Sequence, residues 1–206
     1  MNHWYWRGSP TRRLFQALPS TLDVASNPGP ADAANTAVRA FLYKAGARLW
    51  GETYNIKSGN GKDTWNDIVE NVFSNECIYC GSSGIDLTLD HIDMINRTSL
   101  GLHHPGNTGP SCKSCQTRKQ IGGKYPSWEE HLLVVCKNRG EEDFFEERSR
   151  NIRNHREIGK YALPNLSQSA RDSLRIICTR LYSDVSDSCN DSVDLYEELL
   201  NAFVEA

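Results

Sequence analysis

No run of about 18 consecutive apolar residues occurs in this chain of 206 residues, which excludes a conventional membrane-spanning helix. The start, MNHWYWRGSP, lacks the unbroken apolar stretch of a signal peptide. A soluble protein of the cytoplasm with no membrane partner is therefore expected. No internal repeat and no low-complexity segment is present, so a repeat array is excluded. Lysine and arginine are missing altogether after Arg180, where Asp184, Asp187, Asp191, Asp194, Glu197, Glu198 and Glu205 make an acidic tail. Charge thus distributes unevenly: 23 Lys and Arg against 26 Asp and Glu give a formal net charge of −3, but without that tail the body is mildly basic. Such a balance neither requires nor forbids a polyanionic partner.

Cysteine is sparse as well, at seven residues. An odd number, with four in tight pairs and Cys136, Cys178 and Cys189 scattered, does not suit a disulfide framework. It suits metal ligation in a reducing compartment. The paired cysteines stand in CIYC (Cys77, Cys80) and CKSC (Cys112, Cys115). Each C-x-x-C turn offers two thiolates to one ion at little backbone cost, and two turns complete a tetrahedral zinc shell. A redox dithiol is the alternative. The gap between the pairs exceeds that of a minimal zinc ribbon, so the enclosed loop must carry something further.

Within that loop Ile85, Leu87 and Leu89 alternate with Asp86, Thr88 and Asp90, the period of a half-buried strand. The apolar phase then shifts to Ile92 and Met94, which predicts a turn or bulge at Asp90 and His91 and lets their side chains converge. A carboxylate suits a hard divalent cation and a neutral imidazole suits a general base near pH 7, so the pair fits water activation at a phosphodiester. Asn107, in the loop HHPGNTGPS, offers an amide oxygen to the same ion or orients His91. His103 and His104 share the loop, as competing ligands, phosphate contacts or plain surface residues.

CIYC, LTLDHI and GNTGPSCKSCQTRK, taken in that order over residues 64–124, resemble the zinc-stapled branch of the HNH, or ββα-metal, nuclease family. The resemblance implies a ββα core with structural Zn²⁺ on the four cysteines and catalytic Mg²⁺ or Mn²⁺. It implies Asp90 as a ligand of the catalytic ion, His91 as general base, and Asn107 as second ligand or orienting residue. The family commonly has Asn or His after the second C-x-x-C; here Gln116 stands there, followed by Arg118 and Lys119. The implied activity is hydrolysis of double-stranded DNA to 5′-phosphate and 3′-hydroxyl ends, in restriction or antiphage defence in a prokaryotic cell. The chain is expected to act as a homodimer or as a subunit of a defence complex. A zinc module that binds nucleic acid or a protein without catalysis, and an RNA-directed nuclease, are the alternatives.

Lys113, Arg118, Lys119 and Lys124 are candidate phosphate contacts, or else a solvated face. Arg148, Arg150, Arg153 and Arg156 read as an intrahelical ion-pair ladder or as DNA contacts. Around the core the chain reads as mainly helical, so the fold class is α+β. A helix from Asp32 to near Gly51 carries the stripe Ala34, Val38, Phe41, Ala45, Leu49; KSGNGKD is a loop; Trp65 to Phe73 form a short amphipathic helix. Ser127 to Glu130 has capping-box spacing, and helices follow at about 142–157, 167–183 and 191–204, with Cys178 in a core. A short helix is expected over residues 12–18, after an aromatic cluster at Trp4, Tyr5 and Trp6. Three regions result: 1–62, a candidate for recognition or dimerisation; 63–125, the nuclease core; and 126–206, helical with the acidic tail packing on the basic body, a second copy or another subunit.

Overall fold

The structure, a computed structural model, describes residues 29–204, so the expected helix at 12–18 and the aromatic cluster before it lie outside the described residues. Helices dominate, joined by one small antiparallel sheet. None of the described helices is long and apolar enough to cross a membrane.

Helix α1 (Pro30–Trp50) starts with Pro at its first position, where the missing N–H costs nothing, and stops at Gly51, whose φ of 90° closes the last turn. Its buried stripe is Ala34, Val38, Leu42 and Gly46, turned from the expected stripe. Phe41 and Ala45 are only partly buried and Leu49 is exposed. The rotation has a cause at Gly46. A Cβ there would lie 2.3 Å from the His103 carbonyl oxygen, so the glycine lets the loop carrying His103 seat directly on the helix backbone.

Helix α2 (Gly59–Asp67) begins inside the segment expected to be a loop, and it continues through a π turn (Ile68–Val72) that delivers the chain to Cys77. Two glycines in its first turn hid it from the sequence reading. Gly61 is needed there, because a Cβ would collide with the Asn55 backbone.

Strands β1 (Leu87–His91) and β2 (Thr108–Cys112) pair in unbroken register, with Asp90 opposite Gly109 and His91 opposite Thr108. Of the turn or bulge expected at Asp90 and His91, the bulge is absent, and the turn begins one residue later, at Ile92. The strand simply ends, and Ile92 is buried in the turn that follows. Ile85, expected in the strand, precedes it and is exposed. Helix α3 (Lys113–Gln116) is a single turn, much less than the helix expected after the second cysteine pair.

Helix α4 (Trp128–Arg139) opens on the expected capping box, with both bonds made between Ser127 and Glu130, and closes at Gly140 in the left-handed conformation. Helix α5 (Phe145–Glu157) matches the reading. Helix α6 (Gln168–Val204) is one rod of 37 residues where two helices were expected. Its polar middle contains no proline or glycine to break it.

Two cores result. One gathers Tyr79, Ile92, Trp128, Leu132 and Ile152 around the four paired cysteines. The other packs α1 on α6 through Val38, Leu42 and the expected core residue Cys178, and takes in Leu102 from the loop between the strands. That loop is held from both sides.

Candidate active site and metal centre

The first cysteine pair lies on a tight knuckle closed by the Cys77 N–H to the Ser82 carbonyl and the Gly81 N–H to the Cys77 carbonyl. The second lies where β2 turns into α3. All four sulfurs lie within 4.8 Å of one another, are buried and are unbridged. The Cys80 and Cys112 Sγ atoms are 3.8 Å apart, the edge of a tetrahedron with metal–sulfur bonds of about 2.3 Å. The Cys112 N–H donates to Cys77 Sγ at 3.4 Å. His131, on α4, meets the Cys115 carbonyl at 2.7 Å and ties the knuckle to the helical layer.

Ionisation within the tetrad is unequal. A hydrogen bond from Cys115 holds the Cys77 thiol down, to about 4, whereas the bond to Cys77 followed by burial drives Cys115 far up. Four clustered thiolates repel one another, and a bound dication removes that conflict. The donor set and its geometry are compatible with a zinc ion.

Asp90 and His91 are neighbours on a regular strand, so their side chains leave opposite faces of the sheet. Asp90 Oδ2 accepts from the Tyr79 hydroxyl at 2.8 Å and lies 3.4 Å from Arg118 Nη2. Burial raises its pKa, opposed by Arg118 and then Tyr79. Its Oδ1 has no bonded partner among the described residues.

His91 belongs to a different network. Its Nε2 lies 2.9 Å from His103 Nδ1, and His103 Nε2 lies 2.7 Å from the Tyr54 carbonyl oxygen. Burial lowers both histidines' pKa values, His91 to about 3 with His103 and then Arg118 assisting, so both rings are neutral near pH 7. A carbonyl only accepts, so His103 must carry its proton on Nε2. Its Nδ1 then accepts the Nε2 proton of His91, and the lone pair of His91 falls on Nδ1. That nitrogen has no described partner and is not a buried unpartnered atom. Tyr43 stacks on His103 with ring centroids 4.1 Å apart and meets His91 edge-on.

Asn107 joins neither network. Fully buried, it accepts the Asp93 N–H on Oδ1 at 2.8 Å and donates from Nδ2 to the Asp93 and Leu102 carbonyls at 2.9 and 2.8 Å. The sequence predicts it either as a ligand of the ion beside Asp90 or as orienting His91; with its amide committed to backbone, it does neither. It pins the loop instead. Asn107→Ala should cost about 2–5 kcal/mol, since buried backbone groups lose their partners, measurable by urea unfolding.

Arg118 corrects a second expectation. Its side chain is 3% exposed and donates to Tyr79 and to the carbonyls of His91 and Ile92, so it is internal scaffolding and not a phosphate contact. Lys113, Lys119 and Lys124 are exposed. Gln116 clamps α3 to β1, donating to the Leu89 carbonyl at 2.9 Å and accepting from Thr88 Oγ1 at 3.2 Å. His104 is buried and accepts the Gly106 N–H, which makes it a turn cap. Of the arginines around α5, Arg148, Arg153 and Arg156 pair across elements, with Glu141, Glu129 and Asp93, where an intrahelical ladder was one expectation.

The sequence reading did not single out His103 as the partner of His91, and it missed Tyr54. The two neighbouring histidines of HHPG were visible, but nothing in the spacing says which faces inward to β1. No family model matches the chain, and comparisons with curated proteins and with solved structures find no match.

Proposed function

We propose that this chain is a metal-dependent HNH-type endonuclease acting on double-stranded DNA, with Zn²⁺ as a structural ion in the cysteine tetrad and His91 as general base. The observation that carries the reading is the His91–His103–Tyr54 relay. It fixes the imidazole tautomer and leaves the His91 Nδ1 lone pair, on a rigid strand end, without a partner among the described residues, as proton abstraction from an attacking water requires.

Asp90 Oδ1 is the free carboxylate oxygen that fits Mg²⁺ or Mn²⁺, and Mg²⁺ characteristically binds through one or two carboxylates together with substrate phosphates and water. Such an ion supplies charge neutralisation at the phosphate and the departing oxygen. The chain's own residues do the rest. Arg118 and Tyr79 hold Asp90 by its other oxygen, His103 holds His91, and Asn107 keeps the following loop from drifting.

A second reading, a zinc module that binds without cutting, is favoured by three observations: Asp90 and His91 leave opposite faces of β1, Asp90 already pairs with the Arg118 cation, and Asn107 is not turned toward it. One assay separates the two. Supercoiled plasmid incubated with the purified chain and Mg²⁺ or Mn²⁺ should be nicked or linearised, and EDTA should stop it. Intact plasmid under all ions, with binding retained, would favour the module. Cleavage of RNA in preference to duplex DNA would reassign the substrate. Sequencing the ends then tests the restriction or defence setting, in which defined ends are expected.

A further inference from the structure

Outside the His91 network, a cavity of about 150 Å³ opens between the turn after β1, the segment before α6 and the first turns of α6. Arg156, Arg171 and Arg175 line it, together with Thr98, Ser99 and one acid, Asp93. Arg156 spends one nitrogen on Asp93, while its Nε is buried with no partner. Arg171 donates Nε to the Leu166 carbonyl and belongs to none of the described ion pairs, and Arg175 pairs with Asp172 at 2.8 Å. An adjoining cavity shares Arg156 and Arg171 and adds Asn165 and the acid Glu157, so the two cavities meet along those arginines. The start of α6 adds the positive end of a long helix dipole at its rim.

We propose that this pocket is a phosphate subsite that takes a backbone phosphate of duplex DNA. Guanidinium forks with unspent donors recognise phosphate oxygens in two-point geometry. Two further features favour a polyanion strand over a free small anion. The pocket adjoins a second cavity that shares two of its arginines, and Asp93 in its lining stands two residues beyond His91 in the chain. The choice of DNA rests on the nuclease reading above; the cavity and its arginines do not.

The test uses the full chain carrying His91→Ala, so that DNA survives, and a short fluorescent duplex titrated across a salt series. Removing both exposed arginines, Arg171→Ala with Arg175→Ala, should flatten the slope of log K against log salt by about 2. Affinity at 0.1 M salt should fall by roughly tenfold or more. Arg180→Ala, which removes an exposed arginine farther along α6, should change neither. If the double variant melts early, Arg175→Ala alone should flatten the slope by about 1. An unchanged slope, or no duplex binding by the parent protein, would overturn the proposal. A flattened slope, with no plasmid cleavage by the chain that keeps His91, would leave the pocket standing and remove the nuclease reading, whereas cleavage by that chain with an unchanged slope would do the reverse.

Discussion

Replacing His91 by alanine should lower Mg²⁺- or Mn²⁺-dependent cleavage of plasmid by about 10²–10⁴-fold, the usual contribution of a positioned general base, with folding retained at a cost of about 1–3 kcal/mol because His103 Nδ1 loses its partner. The side chain sits at a strand end and contributes one side-chain hydrogen bond, to His103, so the fold does not hang on it. The relay makes a sharper demand on His103. In His103→Asn the amide oxygen can stand where Nδ1 stood and still accept the His91 proton, whereas His103→Leu offers no acceptor. The asparagine variant should therefore keep substantially more activity than the leucine variant, and the ¹⁵N shifts of His91 should show protonated Nε2 in the parent and in His103→Asn, with a mixture in His103→Leu. Full-rate nicking by His91→Ala would remove the nuclease mechanism.

Local rules with short reach were legible in the sequence, and contacts between distant segments were not. The capping box at Ser127 and Glu130 needs four residues to be seen, and it is present. The doubled C-x-x-C carries its own geometry, and the four sulfurs do meet. The alternation before Asp90 located β1 to within two residues. Its apparent phase slip, read as a turn or bulge at Asp90 and His91, marks the turn one residue later, because an apolar residue just past a strand end obeys the burial of the turn and not the pleat. Asn107 shows the same limit at the site: a loop asparagine between cysteine pairs looks like a ligand until Asp93 and Leu102 are seen to occupy its amide. His103 was recognisable only once Gly46 seats its backbone on α1 and Tyr54 caps its ring. In α6, weak amphipathicity through residues 183–191 suggested two helices, yet helix continuity is decided by the backbone, and no residue there forbids it.

Loss of the tetrad's ion should unfold the cysteine-bearing core and not merely loosen it. The four sulfurs are themselves core residues, packed with Tyr79, Ile92, Trp128 and Leu132, so an empty tetrad places mutually repelling or unpaired thiols where apolar contact is needed. Structural zinc supplies apparent binding free energy of about 10–16 kcal/mol, comparable to the whole stability of an ordinary domain at about 5–15 kcal/mol. One zinc per chain is therefore expected by metal analysis, and a strong chelator should collapse the melting transition. Cys77→Ser should abolish both the zinc and the cooperative transition, because Cys77 anchors the first knuckle and its sulfur accepts the Cys112 amide. Cys189→Ser, on α6 and outside the tetrad, should keep full zinc content and an unaltered transition. A zinc-free chain that melts like the parent would show that the thiols hold their cluster by packing alone. In that case the end of β1 with His91 and the loop bearing His103 owe their positions to Gly46, Asn107 and the α1–α6 core, and the site could survive without its metal staple.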